Sequence, residues 1–236
     1  MTPELLAELT KARAEKRPVV VATKLPSGEQ FVLPAPGVSP ELAAAAARVL
    51  ARDESDTVKL ADGEWFLHAY NPPYRLIVVG AVHIAQALVA MAAHLGLAVV
   101  VVDPRRSFAT PERFPHMTIL TDWPDEALDA LAPDARTAVV TLTHDPKLDD
   151  PALDRALRSP AFYIGALGGR KTHAGRLRRL RELGHGEDAL ARIRGPVGLN
   201  IEAITAPEIA LSIIAEFVAV RRNSPLAVRE AVKVAA

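Results

Sequence analysis

The 236 residues carry 28 Lys and Arg against 28 Asp and Glu, and half of them are apolar. Zero formal charge excludes a whole-molecule field for nucleic acid or an anionic membrane surface, and the apolar share excludes an intrinsically disordered chain. The absence of cysteine excludes disulfides, thiolate metal sites and cysteine nucleophiles within this chain. The length predicts one to two domains. Charges interrupt the first 17 residues, so they lack the apolar core of a signal peptide, and no apolar run reaches the length of a spanning helix. The expectation is a soluble, cytoplasmic protein.

In chain order, residues 3–16 read as a helix, with Leu5, Leu6 and Leu9 at helical spacing and Pro3 in the first turn. Residues 18–24 are β-branched and strand-like, and the Pro26-Ser27-Gly28 turn leads into a second strand over residues 30–33. Ser39-Pro40-Glu41 opens an alanine-rich helix that runs to Arg52. Residues 57–60 and 65–70 flank Ala61-Asp62-Gly63 as a hairpin. Asn71-Pro72-Pro73 then continues neither a helix nor a central strand and reads as a linker.

Beyond the prolines, strands are predicted at residues 75–79, 98–102, 118–120, 137–142 and 161–167. Helices alternate with them at residues 83–95, 125–131, 150–158 and 172–183, the first with Ile84, Leu88, Met91 and Leu95 on one face. Near the C-terminus, Ile209, Ile213, Phe217 and Val220 mark a core-facing helix. This alternation predicts parallel βαβ units. The fold class is therefore α/β: a Rossmann-like parallel sheet domain over residues 74–222, preceded by a small N-terminal α+β domain over residues 1–71. Residues 223–236 are a tail or a short helix, and the apolar helix before them offers a homodimer surface.

In a parallel sheet of this kind, ligands bind at the carboxyl ends of the strands. Four polar or glycine-containing stretches fall there. The turn Gly80-Ala81-Val82-His83-Ile84-Ala85 has glycine and alanine at the first and third fingerprint positions, but Val82 stands where backbone should approach a pyrophosphate. A tight turn without ligand explains these residues equally well, and His83 either faces the crevice or caps the helix. Asp103 lies 23 residues after Gly80, where an acid can bind ribose hydroxyls; capping the next turn is the alternative for an Asp before Pro. Arg105 could pair with phosphate or carboxylate.

Thr143-His144-Asp145-Pro146-Lys147 places proton-transfer and anion-binding groups on one loop, or else forms an Asp-Pro turn with surface charge. The stretch from Gly165 through Gly168, Gly169, Arg170, Lys171 and Thr172 to His173 is the strongest anion-site candidate, with backbone N–H groups at a helix start beside positive charge. Arg176, Arg178, Arg179 and Arg181 read as a solvated basic face, given zero net charge. No His-Glu-x-x-His spacing occurs, and no metal site is predicted.

Strung in this order, these stretches resemble the XdhC/CoxI family of accessory proteins for molybdenum hydroxylases such as xanthine dehydrogenase and carbon monoxide dehydrogenase. The resemblance runs from about Leu76 to Arg222. Besides the first turn, it rests on Asp103-Pro104-Arg105, Phe108-Ala109-Thr110, Glu112-Arg113-Phe114-Pro115 and Leu142-Thr143-His144-Asp145-Pro146-Lys147. It continues through Tyr163-Ile164-Gly165-Ala166-Leu167-Gly168, Arg170, Thr172-His173, Gly195-Pro196-Val197-Gly198-Leu199 and Ala206-Pro207-Glu208-Ile209-Ala210. The resemblance implies a non-redox helper, a cofactor chaperone rather than an enzyme. Such a protein binds the molybdenum cofactor, as pterin or dinucleotide, protects it while a cysteine desulfurase supports its sulfuration, and passes it to the hydroxylase apo-enzyme.

The chain departs from that family in three places. Val82 replaces the usual second glycine, which disfavours NAD(P). Asn200-Ile201-Glu202 stands where Asp-Ile-Gly is frequent. A Ser-Gly-Gly-Cys motif is absent from residues 1–73, so a separate Cys-containing polypeptide is expected as a partner. Two other readings use the same crevice. One is an NAD(P)-dependent oxidoreductase with Asp103 on ribose and His144 or Lys147 moving a proton; the other is a nucleotide-sensing regulator.

Overall fold

A computed structural model describes residues 2–227, which form two compact units that divide between Pro72 and Pro73. The first unit runs α1 (Pro3–Ala14), β1 (Val19–Leu25), β2 (Gln30–Leu33), α2 (Pro40–Arg52), β3 (Asp56–Leu60) and β4 (Gly63–Tyr70). Its strands form one antiparallel sheet in the order β2-β1-β4-β3. Side chains alternate across a strand, so Val20 and Ala22 pack with α2 while Val19 and Val21 pack with α1. A sheet between two helices is the outcome. The hairpin closes on the two residues Ala61 and Asp62, with Leu60 paired to Gly63. Asp62 accepts hydrogen bonds from the Trp65 indole at 3.0 Å and from Lys24 at 3.2 Å, which pins the turn to the sheet.

The second unit contains β5 (Arg75–Val79), α3 (His83–His94), β6 (Ala98–Val102), β7 (Thr118–Leu120), α4 (Pro124–Leu131) and β8 (Thr137–Thr141). It continues with α5 (Pro146–Arg158), β9 (Tyr163–Ala166), α6 (Arg170–Glu182), the single turn α7 (Glu187–Leu190), β10 (Ile193–Arg194) and α8 (Ala206–Arg221). All six strands are parallel, in the order β10-β9-β8-β5-β6-β7. Numbered from the first strand of this unit, that is 3-2-1-4-5-6, the order of dinucleotide-binding folds. Leu76 and Val78 of β5 face α3 and α8, whereas Ile77 and Val79 face the layer of α4, α5 and α6. Burying each such side chain contributes about 1.5–3 kcal/mol relative to exposure, so the sheet is buried on both faces.

Several elements differ from the sequence expectation. Helix α5 begins at Pro146, not at residue 150. Asp145 caps it and Pro146 takes the first helical position, where a missing N–H costs nothing; Pro151 lies inside the helix. The buried face of α3 is Ala85, Leu88, Val89 and Ala92, while Leu95 lies past the helix end and is exposed. The small alanines at that face let α3 approach its neighbours closely. The core face of α8 is as expected, with Ile213 and Phe217 buried and Ile209 and Val220 packed against the same cluster. A capping box starts α8, the Glu208 carboxylate accepting from Thr205 N at 2.8 Å. Of residues 223–236, expected as a tail or a short helix, Pro225–Ala227 form a single 3-10 turn, and residues 228–236 lie outside the described residues. Among the described residues, no helix is long and apolar enough to cross a membrane.

Candidate functional site

The crossovers that leave β5 and β8 run to opposite sides of the sheet, and a crevice opens at the carboxyl ends between them. Gly80 ends β5 with φ +110° and donates its N–H to Val102 O at 2.8 Å. A Cβ there would lie 2.6 Å from Thr143 Cγ2, so the β5 and β8 turns touch through this glycine. Ala81 is buried, Val82 precedes α3 without a side-chain cap, and His83 is the exposed first residue of the helix.

Asp103 corrects the ribose expectation. Its side chain is fully buried. Oδ2 accepts from Ala81 N at 2.8 Å and Arg105 Nη2 at 2.8 Å; Oδ1 accepts from Arg105 N at 3.0 Å and Nε at 2.9 Å. A carboxylate offers about four lone-pair sites, and all are used. Burial pushes this carboxyl up, but the Arg105 guanidinium and the Ala81 and Arg105 N–H groups outweigh it and hold it below the ordinary range. Asp103 ties the β6 end to the first turn, and Arg105 serves that tie.

The loop after β8 is also divided. Thr143 donates its hydroxyl to Asp149 at 2.6 Å and accepts Asp145 N at 3.0 Å. The Asp145 carboxylate accepts Lys147 N at 2.9 Å as the α5 cap, and Lys147 itself is exposed. Only His144, with the left-handed φ of +61°, is presented by this loop to the crevice. The expected cluster of His, Asp and Lys is therefore not assembled.

In the fourth stretch, Gly165 is a packing glycine inside β9, since a Cβ there would overlap Val197. Gly168 has φ +129°, Gly169 precedes α6 with no side-chain cap, and Arg170 is the exposed first helical residue. Thr172 packs over Gly168, and the His173 ring lies against Gly195, where a Cβ would overlap it. Arg176 corrects the reading of a solvated basic face. It is 2% exposed and donates Nη2 to Leu167 O at 2.8 Å and to Asp149 at 3.4 Å. With Leu180 one turn on and also buried, Arg176 belongs to the inward face of α6. Burial raises the Asp149 carboxyl above its ordinary value and lowers the Arg176 guanidinium below its own.

His144, Gly168, Gly169 and Arg170 line one cavity of about 770 Å³, within the range of small-molecule sites. Its other walls are Ile84, the loop from Pro196 through Glu202, and Ile209, Ser212 and Glu216 of α8. Glu216 is 1% exposed and accepts from Tyr163 Oη at 2.7 Å, Gly198 N at 3.0 Å and Arg194 Nη1 at 3.4 Å. It thereby holds the wall loop to α8. Sequence reading missed this residue, although an acid set among the apolar positions of a core-facing helix was its signal.

The family model described as the XdhC Rossmann domain matches residues 76–217. Among curated relatives, the uncharacterized protein YqeB of Escherichia coli is 37% identical over 164 residues, covering 67% of this chain and 29% of that protein. The molybdenum cofactor insertion chaperone PaoD of Escherichia coli is 43% identical over 88 residues, covering 37% of this chain and 28% of that one. The chain thus spans less than a third of the length of either relative. A solved structure described as a xanthine dehydrogenase from Bacillus halodurans superposes with a TM-score of 0.70 at 25% identity, covering 93% of this chain and 64% of that one. The strand order, the switch-point crevice and the family match together make this chain a member of the XdhC family.

Proposed function

We propose that this chain binds the molybdenum cofactor in the crevice lined by His144, Gly168, Gly169 and Arg170 and assists its insertion into a molybdenum hydroxylase apo-enzyme. The observation that carries the reading is the uncapped start of α6 in that crevice: Gly169 supplies no side-chain acceptor, so its first N–H groups remain for an anion beside Arg170. A pterin phosphate, or the diphosphate of the dinucleotide form, fits this donor set. Ile84, Leu167 and Leu199 offer apolar wall to the rest of the cargo. The name of PaoD supports a cofactor-insertion role, and that of the Bacillus halodurans structure supports a link to a xanthine dehydrogenase. Thiol chemistry for sulfuration, which a chain without cysteine cannot supply, comes from a cysteine desulfurase and a Cys-containing partner domain.

The nicotinamide alternative loses its ribose acid, because all lone pairs of Asp103 are engaged. Anaerobic titration with molybdenum cofactor, and in parallel with NAD and NADP, tests the reading. Saturable cofactor binding is expected, with Arg170→Ala weakening it by about tenfold or more, the value of one charge-assisted hydrogen bond. Nicotinamide binding alone, or cofactor binding indifferent to Arg170→Ala, overturns it.

A further inference from the structure

A second cavity, of about 640 Å³, is lined by α6 and the first turn of α5, and His144 belongs to its wall as well as to the crevice's. Its lining holds five cationic side chains, Lys171, Arg176, Arg178, Arg179 and Arg181, against one acid, Asp149. Two of the cations are committed elsewhere: Arg179 to Asp150 through two hydrogen bonds, and Arg181 to Glu187 at 2.7 Å. Among the described residues, Lys171 and Arg178 have no ion-pair partner.

Arg176 sets this cavity apart from a solvated basic face. It is 2% exposed, and only its Nη2 is used; Nε and Nη1 are buried without a hydrogen-bond partner. A buried donor left unpaired has lost its water without compensation, and the cost is greater when the group is charged. The fork of a guanidinium is shaped for the oxygens of phosphate. Lys171, Arg178 and Arg176, less the charge of Asp149, leave two positive charges to match a dianion.

We propose that this cavity is a second ligand site, selecting the dianionic phosphate group of a phosphate ester and holding it with Lys171 and Arg178 over the buried, under-satisfied guanidinium of Arg176. Lys171, Arg176 and Arg178 do not line the crevice, so the site does not depend on what the crevice carries. The phosphate belongs either to a free nucleotide or to a bare phosphate monoester, and the two arms of the test distinguish them.

The full chain is titrated with inorganic phosphate and with a nucleoside 5′-monophosphate, followed by amide chemical shifts. Saturable shifts are expected at Gly175 and Arg178. The double variant Lys171→Ala/Arg178→Ala changes two exposed or unpaired side chains and should keep the core intact. It should weaken phosphate affinity read at the Gly175 and Arg178 amides at least about tenfold, while Arg170→Ala leaves the affinity read at those amides unchanged and Arg178→Lys in place of Arg178→Ala restores part of it. Tighter binding of the nucleotide than of phosphate assigns the site to a nucleotide; equal affinity assigns it to the bare phosphate group. Absence of saturable binding overturns the proposal. So does a loss in Arg170→Ala equal to that in the double variant, which would move the anion into the crevice.

Discussion

Two aspartate–arginine pairs at the carboxyl edge of the sheet, both with buried carboxylates, have carboxyl pKa values shifted in opposite directions. Asp103 receives four N–H donors, two of them backbone, and is held below its ordinary pKa. Its partner Arg105 keeps 36% of its side chain in contact with solvent. Asp149 faces an equally buried Arg176 across 3.4 Å, and burial drives both toward their neutral forms. The difference lies in the supply of hydrogen bonds. Desolvation disfavours charge at both sites, and only a saturated carboxylate overcomes it.

Breaking the under-satisfied pair should have the largest effect. Asp149→Ala removes the partner of both Arg176 and Thr143 and is expected to cost about 3–5 kcal/mol, as for a buried pair left half-made. The double variant Asp149→Leu/Arg176→Met should return to within about 1 kcal/mol of the parent or exceed it. Urea unfolding measures both, and a single variant as mild as a surface change would dissolve the contrast between the pairs.

Asp103→Ala should cost less, about 1–3 kcal/mol, because it orphans the buried Ala81 N–H while Arg105 is free to turn to water. The same unfolding experiment ranks the two. Loss of more stability here than in Asp149→Ala would reverse the comparison.

The pH dependence sharpens it, since the two carboxyls shift in opposite directions. Asp103, depressed in the folded state, contributes stability that is fully present above the unfolded value of about 4 and is lost as pH falls through its folded value. Asp149, raised in the folded state, leaves the fold most stable at or below about pH 4 and lowers stability as pH rises through its folded value. Stability measured against pH should therefore lose its acid limb in Asp103→Asn and flatten above about pH 4 in Asp149→Asn. Like slopes in the two variants would contradict the assigned directions. The smallest effect is expected at the cap beside them: Asp145→Ala should destabilise α5 by about 1 kcal/mol, without the loss of ligand affinity that a crevice residue would show.

Much of the fold was legible because its signals are local. The β-branched runs of β5, β6 and β8 and the apolar spacing of α8 name their own elements, and alternation implied the parallel sheet. The two-residue β10 carries no periodicity, and α5 offered two Asp-Pro starts of which only the first is used. In the site, Gly168, Gly169, Arg170 and His144 were readable from their place after strands. Asp149 and Arg176 were not, being 27 positions apart on two helices.

The sequence by itself determined the order of the elements other than α7 and β10, the family and the turns at which a ligand site could lie. Hydrophobic period, helix caps and glycine positions act over a few residues and can be read along the chain. The tertiary structure decided what each polar side chain in those turns is for. It consumed Asp103, Arg105, Asp145 and Thr143 in structural hydrogen bonds, drew Arg176 inward and brought Glu216 to the crevice wall. A carboxylate's role depends on which donors reach it and how much water remains, and both are set by residues distant in sequence.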